Sequence, residues 1–139
     1  MSKQILIVGA SRGIGRVIAS AFAVEGASLF LFGRSQKRLD EIGEKLAAAG
    51  ALSGVLATDI ADSTRTVKAV EHAARELDGL DIVVNCASIH NEWARTGELS
   101  IDSWDRTIAT NLSGTFYICR AALPIMAKAE KTSLVNITS

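Results

Sequence analysis

The sequence predicts a doubly wound α/β fold, a parallel sheet with helices on both faces. Three observations carry that expectation. Five short apolar runs of strand length alternate strictly with four longer stretches of helical period. The short runs are apolar at consecutive positions rather than alternate ones, as strands buried on both faces require. Parallel strands need crossovers, and right-handed crossovers leave few topologies, of which the doubly wound sheet is the commonest.

The elements follow in order. Gln4 to Val8 is the first strand, closed by Gly9. Ile14, Ile18, Ala21 and Phe22 share a helical face that stops at Gly26, a residue suited to a C-terminal cap. Ser28 to Phe32 is the second strand. A second helix starts from a Ser35 cap and runs through Leu39, Ile42, Leu46 and Ala49 to Gly50. Ser53 to Ala57 is a strand, and Val67, Val70, Ala74 and Leu77 form a third stripe after Asp62 and Ser63. Asp81 to Val84 is the fourth strand. The fourth helix takes Ser100 as its cap and turns Trp104, Ile108, Leu112, Phe116, Cys119 and Leu123 inward, with Pro124 expected to bend it. Ser133 to Ile137 is the fifth strand. The first two helices are expected on one face of the sheet and the other two on the opposite face.

The composition excludes several classes of function. A chain of 139 residues with 48% hydrophobic and 22% charged residues, and no low-complexity tract, folds as a single domain, residues 1–139. Fifteen basic residues balance fifteen acidic ones, so neither nucleic acid nor an anionic membrane is an expected partner. No apolar run approaches the roughly 18 residues of a spanning helix, and Met1 to Gln4 does not open a signal peptide. Two cysteines, Cys86 and Cys119, form neither a disulfide framework nor a zinc pattern. A cytoplasmic location is the expectation.

Function enters at the turn after the first strand, Gly9-Ala10-Ser11-Arg12-Gly13-Ile14-Gly15. A tight strand-to-helix turn without Cβ atoms lets the backbone approach a pyrophosphate. Free N–H groups at the helix N-terminus then face the negative charge. A glycine pattern alone is weak, but here it follows a strand and opens a helix within one strand–helix–strand unit.

Gly9 and Gly13 are separated by three residues, and this spacing resembles the Thr-Gly-x-x-x-Gly-x-Gly motif of the short-chain dehydrogenase/reductase family. Asp59-Ile60 is similar to that family's acidic residue beside the adenine. Asn85-Cys86-Ala87-Ser88 resembles its Asn-Asn-Ala-Gly, and Asn111 in Asn111-Leu112-Ser113-Gly114 matches its catalytic asparagine. Asn136-Ile137-Thr138-Ser139 resembles the strand that carries its catalytic serine. The chain departs from the pattern with Val8 for the motif threonine, Ser88 for a glycine and Cys86 for an asparagine. The resemblance implies a Rossmann-like fold that binds the dinucleotide through Gly9, Ser11, Arg12, Gly13, Ile14, Gly15, Arg34, Asp59, Ile60, Asn85 and Ala87. Asn111 and Ser139 would be the catalytic groups.

NAD enzymes place a carboxylate at the end of the second strand to hold the ribose hydroxyls. Here that position reads Phe32-Gly33-Arg34-Ser35. A carboxylate would repel a 2′-phosphate, whereas guanidinium groups from Arg34 and Arg12 would bind one, which favours NADP(H) over NAD(H).

The family's chemistry, as the resemblance implies it, passes a hydride between nicotinamide and an alcohol or carbonyl carbon. A tyrosine exchanges the proton and a lysine four positions later lowers its pKa. Both are expected about a dozen residues beyond Ser139, by resemblance to the family, and Tyr117 is followed four residues on by Ala121 rather than lysine. The sequence therefore reads as an N-terminal portion, truncated after five strands and four helices and not expected to turn over substrate alone. Val83, Val135 and Ile137, or their alternates, are expected to face water, so the isolated chain is expected to be unstable or to self-associate, and the complete protein to be a homo-oligomer. The alternatives are a non-catalytic dinucleotide-binding module and an inactive remnant. Elsewhere, His72 and the Lys37-Arg38 pair read as solvated, Tyr117, Cys86 and Cys119 as packed, and His90 and Trp93 as candidates for substrate contact.

Overall fold

The computed structural model describes residues 2–90 and 93–138. Strands β1 (Gln4–Val8), β2 (Ser28–Gly33), β3 (Leu52–Ala57), β4 (Ile82–Asn85) and β5 (Ser133–Asn136) pair in parallel in the order β3-β2-β1-β4-β5. Ile7 at the sheet centre lies between Leu31 and Val84. The order reverses between β1 and β4, and an open α/β sheet offers its ligand crevice at such a switch point.

Helices α1 (Gly13–Val24) and α2 (Gln36–Ala48) cover one face. Ile5, Ile7, Leu29 and Leu31 meet Ala19, Leu39, Ile42 and Leu46 there. Helix α3 (Ser63–Leu77) and the long fourth helix cover the other, where Leu6, Val8, Phe30, Phe32 and Val83 meet Val70, Ala73, Ile118 and Ala122. The expected caps form: Ser35 accepts from the Arg38 amide and Ser100 from the Ser103 amide. Asp62 caps α3 in the same way, accepting from the Arg65 amide. Gly26 adopts φ +76°, the left-handed conformation that suits a helix stop.

The fourth helix is one continuous rod in three parts: α4 (Ile101–Thr107), a π-helical segment (Ile108–Gly114) and α5 (Thr115–Met126). Its expected inner stripe is overturned at four of six positions, Ile108 and Cys119 being half-buried. Trp104, Leu112, Phe116 and Leu123 are exposed, Leu112 to 65%. The buried positions are instead Thr110, Gly114, Ile118, Ala122 and Met126. Small side chains win because the helix lies close to its neighbours: a Cβ on Gly114 would stand 2.7 Å from Ile60 Cγ1. Pro124 falls in the last turn of α5, which ends at Met126.

Three smaller expectations also change. In α1 the buried positions are Gly15 and Ala19, with Ile18 and Phe22 half-buried, while Ile14 and Ala21 face outward. Val83 is fully buried beneath the α3–α5 layer, although Val135 and Ile137 are exposed as expected. His72 is half-buried rather than solvated, its ring edge-on to Phe30 at 5.5 Å.

Candidate functional site

A cleft of about 410 Å³ opens at the C-terminal ends of β1, β2 and β4. The turn after β1 forms its floor. The amides of Gly9 and Ala10 both donate to the Phe32 carbonyl at 2.9 Å, which pins the turn against the end of β2. Gly9 has φ +84°, and a Cβ there would lie 2.7 Å from the Ala87 nitrogen. On Gly15 a Cβ would collide with the Gly9 carbonyl oxygen. These two glycines are therefore required by the turn itself, whereas Gly13, at φ +55°, has open space where its Cβ would stand. Arg12 caps α1 with no side-chain hydrogen bond, and no acidic residue occupies the first turn. The leading amides of that helix are left to the cleft.

Arg12, Arg34 and Arg38 all line the cleft, against a single carboxylate, Asp59. Among the described residues none of the three makes an ion pair. The Asp59 side chain accepts from the Ala61 amide at 3.0 Å, closing the turn after β3. Next to it, buried Ile60 has its carbonyl held by the Thr66 hydroxyl at 3.2 Å. Of the sequence-nominated residues, Gly9, Ser11, Arg12, Gly13, Ile14, Gly15, Arg34, Asp59, Ile60 and Ala87 all meet here.

Asn85 and Asn111 stand together in an adjoining cavity instead. Asn111, in the π-helical segment, donates from Nδ2 to the Ile89 carbonyl and accepts at Oδ1 from the Ile89 amide, both at 2.9 Å. Its side chain thus clamps the loop after β4. The Thr115 hydroxyl donates to the Asn111 carbonyl at 2.8 Å and accepts from Asn85 Nδ2 at 3.0 Å. Asn85 Oδ1 accepts from the Ala87 amide at 3.1 Å, and its Nδ2 reaches Asn136 Oδ1 at 3.4 Å. A chain of hydrogen bonds therefore joins the ends of β4 and β5 to the π-helical segment. Ser139 lies outside the described residues.

Sequence reasoning missed Arg38 and Thr115. Arg38 lies in the first turn of α2, where the Ser35 cap holds its amide at 3.4 Å. The cap at Ser35 was the available signal, since it sets Arg38 one turn above Arg34. Thr115 stands four residues after Asn111, a spacing at which a hydroxyl reaches a helical carbonyl. Its bond to Asn85 had no sequence signal. Cys86 lines both cavities, and burial pushes its thiol up from the ordinary 9.0.

The reversal in strand order, the glycine turn beneath it and the cationic rim define a doubly wound dinucleotide-fold protein. The family model for short chain dehydrogenases matches residues 3–139, and the chain belongs to that family. It is 35% identical over 137 residues to a D-threitol dehydrogenase of Mycolicibacterium smegmatis, covering 99% of this chain and 52% of the relative. A solved short chain dehydrogenase of Burkholderia cenocepacia in complex with NADP superposes with a TM-score of 0.90 at 30% identity, over 96% of this chain and 54% of that one. A 3-ketoacyl-ACP reductase of Sinorhizobium meliloti gives 0.92 at 33% identity, over 97% and 53%. The chain spans about half the length of the relatives it matches.

Proposed function

We propose that residues 1–139 form one NADP(H)-binding domain. It is the cofactor-binding half of an NADP(H)-dependent oxidoreductase that interconverts an alcohol and a carbonyl compound. The observation that carries the choice of cofactor is the cluster of Arg12, Arg34 and Arg38 around the end of β2, where no carboxylate stands to meet a ribose 2′-hydroxyl. A 2′-phosphate supplies two negative charges and acceptor oxygens for those forks.

The residues present fit the dinucleotide. Gly9 and Gly15 keep the turn free of Cβ atoms, and the unfilled first turn of α1 suits a pyrophosphate. Asp59 and Ile60 would flank the adenine, and Asn85 and Ala87 would meet the nicotinamide ribose. When bound, the cofactor supplies a hydride equivalent. This chain's own part is to hold the two ends of the cleft in fixed relation: Asn111 fixes the Ile89 backbone while Thr115 ties Asn111 to Asn85. Asn111 and Ser139 are the residues assigned to catalysis.

The exposed stripe further along the long helix, Leu112, Phe116 and Leu123, is assigned to homo-oligomer formation, since apolar surface in such a row is seldom left in water. Cytoplasmic residence agrees with the free thiols of Cys86 and Cys119. Calorimetric titration tests the cofactor reading. NADPH is expected to bind at least about tenfold tighter than NADH. Equal affinities would overturn it.

A further inference from the structure

The second cavity, of about 620 Å³, shares Ile14 and the segment Cys86 to His90 with the cofactor cleft. Two features of its wall set it apart. In a chain of which 22% is charged, no Asp, Glu, Lys or Arg is among the described residues lining it. The same wall carries both tryptophans of the chain, Trp93 and Trp104, together with Leu99 and Ile14. Trp93 is fully exposed, and Trp104 and Ile14 are more than half exposed.

The amide side chains of this wall are already engaged, and its other polar side chains include Ser88, His90 and Thr138. The Asn111 amide is used at both ends by Ile89, and Asn85 and Thr115 bond to one another. A carboxylate or phosphate entering here would leave water with no lysine or arginine among the described lining residues to meet it. A polyol would surrender several hydrogen bonds to water against indole faces that return few. A flat apolar body, in contrast, gains both burial and ring stacking.

We propose that this cavity receives the substrate, and that the substrate is an uncharged secondary alcohol or ketone bearing an aromatic body that stacks on Trp93 and Trp104. The proposal rests on the reading of the adjoining cleft as the NADP(H) site only for the identity of the reacting group. Recognition of the aromatic body follows from the wall itself.

The two tryptophans make the wall its own reporter, because no other indole contributes to the fluorescence of the chain. The full 139-residue chain would be titrated, with and without NADP+, with α-phenylethanol, threitol and β-hydroxybutyrate. α-Phenylethanol is expected to change the tryptophan emission and to bind at least about tenfold tighter than either of the others. Trp93→Ala is expected to weaken that binding severalfold while calorimetric NADP+ affinity stays unchanged. Equal or tighter binding of threitol or β-hydroxybutyrate would overturn the proposal, and so would the absence of any response to α-phenylethanol. Failure of NADP+ to bind, with the aryl alcohol still bound, would instead sink the reading of the cleft and leave that of the cavity standing.

Discussion

The two sides of the switch point are built by different means. On the β1–β2 side the site is made of backbone: a turn with two glycines that admit no Cβ, pinned by two amides on one carbonyl and backed by fully buried Ile5, Ile7, Leu29 and Leu31. On the β4–β5 side it is made of side chains. Asn85, Asn111, Thr115 and Asn136 hold a loop and a helix in place, and β5 is mostly exposed. Backbone construction tolerates almost no change at its key positions but is indifferent to the identity of most neighbours. Side-chain construction distributes the same task over several replaceable groups.

The largest test of this contrast is Gly9→Ala. The left-handed φ and the 2.7 Å approach to the Ala87 nitrogen add strain to overpacking, so urea denaturation is expected to show a loss of about 3 kcal/mol. A loss below about 1 kcal/mol would mean the turn can move, and the contrast would fail. Asn111→Ala comes next, at about 2 kcal/mol for two backbone hydrogen bonds left without partners. Hydrogen exchange should localise that loss to the Ile89 amide, with the amides of β1 and β2 unaffected.

On the cleft rim, Arg38→Ala is expected to weaken NADPH about tenfold and NADH hardly at all, read by calorimetry. Equal losses would show that the guanidinium meets something other than the 2′-phosphate. The smallest effect is expected at Cys86. Folding raises the pKa of this thiol by desolvation, so the native state keeps its proton to higher pH than the unfolded chain does. The contribution is fully present below 9.0 and is lost as pH rises through the folded value. Cys86→Ser should flatten the alkaline end of the stability profile by under about 1 kcal/mol.

Legibility in the sequence follows the same division. Strand runs, caps and the glycine turn were readable because each is a demand of the backbone: Gly15 is required by atoms of its own turn, Gly9 by its left-handed φ, and Ser35 or Ser100 by amides three residues on. The inner face of the long helix was misread because the largest apolar residues were taken as the buried ones. Close approach over Ile60 selects small residues, and Gly114 and Ala122 carry no hydrophobic signal of comparable strength. Val83 was misplaced for a related reason, since which strand face α5 covers depends on where that helix crosses. The bond between Asn85 and Thr115 joins residues thirty positions apart. Nothing in either neighbourhood announces the other.

The π-helical segment from Ile108 to Gly114 has a consequence for how this chain can change length. A π turn holds one residue more than an α turn, so the segment acts as a phase shift written into an otherwise regular helix. Each α-helical residue turns the rod by about 100°. Deleting a single residue here would let the segment close as ordinary α-helix while everything after it keeps its orientation, because the wider turn has already absorbed one extra residue. Ile118, Ala122 and Met126 would stay on their inner face. A deletion within the regular turns of α5 has no such slack: it rotates every later residue by that angle and takes the inner row out of register.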